Sequence, residues 1–235
     1  MIRRKLVVAM TGLAVLSFST ASAYDMDTPV QLTQNRINPV AYHSTRKAMD
    51  VDAIFMSALR AGQYEKAKAL LAAGANPNQK GEYNKTTLML ALQSHRADIE
   101  LVRALLKTGN VNQRDNYNEC AITIACSNGV SVEIIKLLLE SGADKNARCV
   151  HGHNLLFITL FARIENSQLV KYLLSIGFDP NEKHGDDGYP LQLALKTQKM
   201  SSARALVRAG ADLSILSHAE MEKLEPHLKR MKQTG

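Results

Sequence analysis

LLAAGANPN, residues 70–78, closes a segment whose pattern returns four more times: LLKTGNVN (105–112), LLESGADKN (138–146), LLSIGFDPN (173–181) and LVRAGADLS (206–214). The shared glycines, Gly74, Gly109, Gly142, Gly177 and Gly210, are spaced by 35, 33, 35 and 33 residues. A second block keeps the same period: TTLMLA (86–91), CAITIA (120–125), NLLFIT (154–159) and YPLQLA (189–194). Self-similarity at a fixed period of this size marks a repeat architecture, and it sets the frame for every other feature of the chain.

Each unit reads as two helices. The first opens at the TTLMLA-type block, where Thr86 and Asn154 offer side-chain oxygens as N-caps and Pro190 sits where its missing N–H costs nothing. The second carries paired aliphatics, such as Leu105-Leu106 and Leu138-Leu139, and stops at the glycine, which can take the left-handed cap conformation. One such pair is too small to bury its own apolar face, so neighbours must stack. A composition that is 46% apolar, without Trp and rich in Leu and Ala, suits helices packed through aliphatic side chains.

The unit resembles the ankyrin repeat, in which TPLHxA opens the first helix and LLxxGAxxN closes the second. The resemblance covers residues 50–216 and implies an all-α ankyrin-repeat solenoid of about five helix pairs with short β-hairpin fingers. The family's TPLH histidine is replaced by Met89, Thr123, Phe157 and Gln192, so the hydrogen bonds it makes within a repeat are expected to be mostly absent. Two-residue insertions are expected between the helices of the second and fourth units, at 95–99 and 163–169. Asp50 or Asp52 can cap the first helix, and Arg60, Gln63, Glu65 and Lys66 give that terminal unit a polar outside. Ser217 and Glu220 form a possible capping box. They start a helical cap over 217–235, interrupted at Pro226, in which Met221, Leu224 and Leu228 can cover the last repeat.

The start of the chain reads differently. Arg3, Arg4 and Lys5 precede an apolar run from Leu6 to Phe18, followed by Ala21-Ser22-Ala23. This is the anatomy of a secretory signal peptide over 1–23, cleaved near Ala23. A membrane anchor needs about 20 apolar residues, so no membrane segment is expected in the mature chain, and residues 24–49 read as an N-terminal tail. The mature protein is expected in the periplasm or outside the cell. Without its three leader basics the charge is 26 − 22 = +4. The basic residues are scattered, with no stripe of interleaved aromatics, which speaks against nucleic acid.

Register then places the candidate sites. Six residues form the finger before each helix block: GEYNKT (81–86), DNYNEC (115–120), CVHGHN (149–154) and HGDDGY (184–189). The fourth finger position holds Asn84, Asn118, Gly152 and Asp187, all tolerant of the positive φ of a tight turn. CVHGHN has the residue types of a zinc site, with His184 as a further ligand, but the spacing of ligands across adjacent repeats is unfavourable. Cys126 reads as core. Cys120 and Cys149 sit in consecutive fingers, and a disulfide between them is possible in an oxidising compartment. Asp186 and Asp187 read as turn residues. No nucleophile elbow, phosphate-cradling glycine loop or paired catalytic acid is present, so neither an enzyme nor a cofactor is expected.

In the ankyrin family the fingertips and the exposed side of the first helices contact the partner. That resemblance implies a protein-binding surface here, at Tyr83, Tyr117, His151 and Asp186 in the third finger position and at Phe161 just beyond the third block. The partner is expected to be a protein of unknown identity, bound by a monomeric chain. The chain also resembles periplasmic ankyrin proteins of Gram-negative bacteria. This implies an immunity-type inhibitor of a secreted toxin. The alternatives are an accessory protein supporting a periplasmic catalase in oxidative stress, or a secreted effector binding a host protein. The remote alternative is metal-dependent enzyme chemistry at the fingertips.

Overall fold

The computed structural model describes residues 51–233. The expected signal peptide, the tail over 24–49 and the capping candidate Asp50 lie outside the described residues.

Helices come in pairs because the apolar residues do. The first pair is α1 (51–60) with α2 (Tyr64–Ala72). Then follow α3 (Thr87–Ala91) with α4 (Ile99–Leu106), α5 (Ala121–Asn128) with α6 (Val132–Glu140), α7 (Leu155–Phe161) with α8 (Ser167–Ser175) and α9 (Pro190–Lys196) with α10 (Met200–Arg208). The final helix, α11 (His218–Gln233), closes the stack. The even-numbered helices bury one narrow stripe in register: Leu101, Val102 and Leu105, then Ile134, Ile135 and Leu138, then Leu169, Val170 and Leu173. In α10 the first of these places is Ser202, buried, with its N–H and hydroxyl both donating to Glu165 Oε1 at 2.7 and 3.0 Å. The odd-numbered helices are buried on almost every side, as the unbroken runs Thr87–Ala91, Ala121–Cys126 and Leu155–Leu160 show. A helix apolar all round belongs inside. These helices form an inner row, α3 on α5, α5 on α7 and α7 on α9, while α2, α4, α6, α8 and α10 form an outer row. One continuous core runs from Phe55 to Leu224.

The predicted caps form. Thr86 Oγ1 accepts from Met89 N at 3.2 Å, and Asn154 Oδ1 from Phe157 N at 2.8 Å. Gly74, Gly142, Gly177 and Gly210 take φ between 88° and 96°. Gly109 is not among the positive-φ glycines. Its segment is one residue shorter, so Gly109 stands where Ala75, Ala143 and Ala211 stand elsewhere: Asn112 N donates to Asn110 Oδ1 as Asn78 N does to Asn76 Oδ1 and Asn146 N to Asp144 Oδ1. Side-chain clamps then tie one turn to the next. Asn112 donates to Gly142 O and accepts from Asp144 N, and Asn181 does the same with Gly210 O and Asp212 N.

Several expectations are corrected. Three of the four residues replacing the TPLH histidine do accept a hydrogen bond from the N-cap backbone: Met89 Sδ from Thr86 N, Thr123 Oγ1 from Cys120 N and Gln192 Oε1 from Tyr189 N. Only Phe157, which has no acceptor, leaves it unmade, because the position needs an acceptor within reach rather than an imidazole. Asp52 lies within the first helix and accepts from Asn76 N at 2.7 Å, bracing the neighbouring turn instead of capping. Pro226 does not interrupt α11, which runs straight through it. Pro226 and Glu222, whose carbonyl loses its N–H partner, both face solvent, so water can replace the bond. The capping box forms, with Ser217 N and Oγ donating to Glu220 Oε2 at 2.8 and 2.7 Å, and Leu224 is fully buried against the last repeat. The expected insertions appear as longer links, 92–98 and 162–166, against 129–131 and 197–199 in the other units. Link 162–166 is not slack: Asn166 Nδ2 donates back to Val130 O at 2.8 Å, while Glu165 reaches forward to Ser202. Among the described residues no helix is long and apolar enough to cross a membrane.

Candidate functional site

Each finger is closed by the same bond, from the N–H of its first residue to the carbonyl of its fifth. The pairs are Gly81 to Lys85 (2.7 Å), Asp115 to Glu119 (2.9 Å), Cys149 to His153 (3.2 Å) and His184 to Gly188 (2.9 Å). The loops are too short to extend this into strands, and the one isolated β-bridge among the described residues joins Lys80 and Thr86. Asn84, Asn118 and Gly152 take the expected positive φ. The fourth finger departs from this: Gly185 and Gly188 take positive φ, and Asp187 ends a 3-10 turn over Gly185–Asp187 instead. Arginine side chains hold two tips from below. Arg114 donates to Asn118 O at 2.6 Å, and Arg148 donates to Gly152 O at 2.9 Å while pairing with Glu182 at 2.7 Å.

The proposed contact residues fall into two groups. Tyr83 and Tyr117 meet at a tilt across the first two fingers, ring centroids 5.2 Å and planes 48° apart, and are 56% and 50% exposed. Asn116 N donates to Tyr83 O at 2.9 Å, so the two tips are also joined through the backbone. Tyr83 itself sits at φ 57°. That left-handed region is uncommon outside glycine and strained for a bulky side chain. The second group contains His151 and Phe161. Both line an open cleft of ≈ 530 Å³ where α5 and α7 meet the fingers. Asp186 is exposed at the fourth tip but does not line the cleft.

Sequence reasoning passed over the residue that organises this cleft. His153 is 6% exposed and stacks against Phe157 (4.7 Å) and Phe161 (5.5 Å, 18° between planes). Its Nε2 lies 2.9 Å from Asp187 Oδ2, which binds the fourth tip to the third. Phe157 and Phe161 lie one turn apart on α7, and His153, just ahead of the Asn154 cap, folds back onto both rings. Asp187 and Glu119, also unselected from sequence, complete the polar lining. Burial, reinforced by the Asp115 charge, pushes the Glu119 carboxyl above its ordinary value. Asp115 Oδ2 and His184 Nε2 are buried without a hydrogen-bond partner. Burial holds the His184 imidazole below its ordinary value, with Glu182 acting in the opposite direction.

The cysteines are all free. Cys120 and Cys149, a possible pair from sequence, are not bonded in this structure and point to different places. Cys120 is the buried N-cap of α5, its Sγ 3.8 Å from Thr123 Oγ1, while Cys149 lines the cleft. Cys126 is fully buried, and burial pushes its thiol up to about 12. Among the described residues, no three His, Cys, Asp or Glu side chains converge to hold a metal ion. A wider depression of ≈ 730 Å³ lies between the α1–α2 turn and the α3–α4 link. Its lining includes Glu65, Lys66, Arg96 and Asp98, and Tyr64 is its one aromatic side chain.

Residues 55–149 match the family model for ankyrin repeats, in three copies. The chain is similar to an ankyrin repeat and KH domain-containing protein of Caenorhabditis briggsae, 30% identical over 145 residues that cover 60% of this chain and 5% of that protein. It is also similar to a transient receptor potential cation channel subfamily A member 1 of Drosophila melanogaster, 25% identical over 125 residues that cover 52% of this chain and 10% of the channel. This chain thus spans a small fraction of either relative's length, and each likeness concerns one segment of a much longer protein. The recurring sequence blocks, the two rows of helices with their fingers and the family match agree: the chain carries ankyrin repeats, assembled as an all-α solenoid.

Proposed function

We propose that the chain is a protein-binding module that takes its partner on the fingers and the adjoining ends of the inner helices. The observation that carries this reading is the Tyr83–Tyr117 pair. Two aromatic rings are held half-exposed at adjacent tips, one of them on a strained backbone that folding alone would not favour. Strain kept at an exposed tip is characteristic of contact sites, and exposed, rigid tyrosines are common interface anchors. Phe161, 49% exposed at the end of α7, extends the same face.

The finer reading is an exported inhibitor of the immunity type, which neutralises one secreted toxin. The basic, apolar and small-residue pattern of residues 1–23 supports export. A compact one-module binder delivered to the compartment where a toxin acts suits the blocking of a single target. Immobilised protein should capture its partner from a periplasmic extract. Replacing both tyrosines, Tyr83→Ala with Tyr117→Ala, should weaken capture at least about tenfold with little change in thermal unfolding. Undiminished capture would remove this pair from the interface. Export is checked separately: the chain recovered from the periplasm should begin near Tyr24, and an uncleaved N-terminus in the cytoplasm would end that part of the reading.

A further inference from the structure

We infer that the cleft beneath the third finger is a pocket for an arginine side chain presented by the partner protein. The inference rests on the protein-binding reading above and goes on to name the group that is bound. The walls supply both things a guanidinium needs. Glu119, from the second finger, and Asp187, from the fourth, bring two carboxylates to the cleft, and no lysine or arginine lines it. Phe161 and His151 are exposed at its edge, and Val150, 63% exposed, gives an apolar lip for an aliphatic stem. Arginine combines these features: its stem packs on apolar surface, its plane stacks on aromatic faces, and its fork of N–H groups matches carboxylates.

The neighbouring charges are already committed, which leaves the cleft acidic. Arg148 is held by Glu182 and by the Gly152 carbonyl. Asp187 is 53% exposed and its one ionic contact is His153 Nε2. Glu119 is the stronger argument. Lys85 draws its carboxyl down, but burial and the Asp115 charge outweigh it. The group is thus a partly desolvated acid that Lys85 compensates only in part, from outside the cleft lining, and an incoming guanidinium would add the charge that is lacking. The Phe161 ring is covered by His153 on one side and met edgewise by Phe157. That fixes its orientation and leaves exposed ring surface for a cation.

The test titrates N-acetyl-arginine methylamide into the isotopically labelled full chain, with N-acetyl-norleucine methylamide as the neutral control and N-acetyl-glutamate methylamide as the anionic one. The arginine compound should shift the amide signals of Glu119, His151 and Phe161 saturably, bind at least about tenfold tighter than norleucine, and weaken with added salt. It should also lower the Glu119 titration midpoint, which a merely structural glutamate would not show. Glu119→Gln and Phe161→Ala, both at partly exposed positions, should each reduce binding while the remaining spectrum stays folded. Norleucine binding as well as arginine, or no saturable shift, overturns the proposal. Dimerisation of the chain that Glu119→Gln abolishes would assign the cleft to a second copy and also overturn it. The variant Tyr83→Ala with Tyr117→Ala lies outside the cleft and should bind the arginine compound normally. A partner captured through the tyrosines alongside an inert cleft would therefore refute the pocket and leave the wider reading standing.

Discussion

Lys199 is the most exposing test of how adjacent repeats are joined. It lies between α9 and α10, is 6% exposed, and its Nζ donates to the carbonyls of Leu160 and Ala162 at the C-terminal end of α7. The Leu160 carbonyl belongs to the last turn of a buried helix, where no intrahelical partner exists, and the Ala162 carbonyl lies just past it on the C-cap residue. They also carry the negative end of the helix dipole, so a cation suits them. Lys199→Met keeps the length and apolar stem and removes every donor. Two buried acceptors left without partners cost about 1–3 kcal/mol each. Against this stands the cost of burying the ammonium, visible in the downward push that burial exerts on Lys199, which the Glu165 charge opposes. If relief of that burial returns about 2 kcal/mol, a net loss of about 2 kcal/mol remains. For a domain of this size that is a fall in Tm of about 4–8 °C. Thermal unfolding of the full chain followed by far-ultraviolet circular dichroism would measure it. A variant as stable as the parent, or more stable, would refute the reasoning, because it would show that the ammonium's burial outweighs the two bonds it makes.

Other expectations follow from single residues. Tyr83→Gly should stabilise the fold by about 1 kcal/mol by relieving the left-handed backbone while weakening partner capture; a loss of stability would mean that the Tyr117 contact outweighs the strain. Thiol titration of the native protein should find Cys149 reactive and Cys120 and Cys126 silent until unfolding. A protein that yields one thiol in total under non-reducing denaturation would contain the Cys120–Cys149 bond after all. The pH dependence has two parts. The His184 imidazole is held below 6.5 by burial, so the unfolded chain takes up its proton first and stability falls as pH drops from 6.5 through the folded value. Burial raises the Glu182 carboxyl, but hydrogen bonds from Arg148 and Asn154 bring it below 4.5 overall, so its contribution is present above 4.5 and lost as pH falls through the folded value. Urea midpoints for His184→Gln should be flatter between pH 6.5 and 5 than those of the parent, and an identical slope would remove His184 from the account.

The fold was legible because a repeat states each rule several times. Thr86, Asn154, Pro190 and the four glycines at 74, 142, 177 and 210 stand at helix ends as their local chemistry requires, and local chemistry is what a sequence displays. The exceptions were also local: Gly109 loses its special conformation because one residue is missing beside it. The candidate site was legible in part. Tyr83 and Tyr117 could be aligned by period alone, and the structure brings their rings into contact. His151 stands exposed in the tip, whereas His153 is buried, a difference that finger register alone does not display. At position five His153 is buried because the rings of Phe157 and Phe161 lie behind it.

The amino-acid sequence by itself determined the unit, its period, the order of helix, turn and finger, and the capping of the stack by the segment from Ser217. Each of these depends on interactions within about ten residues and is written wherever the motif recurs. Tertiary structure decided which side chains from different repeats meet. Contacts such as Lys199 with Leu160, Glu165 with Ser202 and Asp187 with His153 each join residues more than 30 apart, and the cleft brings Glu119 and Asp187 together from different fingers. Those pairings depend on how far each repeat is rotated and shifted on the last, a quantity set by the packed core as a whole and carried by no single motif. The direction of the cysteines was settled in the same way: adjacent fingers bring Cys120 and Cys149 near in register, but the packing of α5 turns one of them inward and leaves the other on the wall of the cleft.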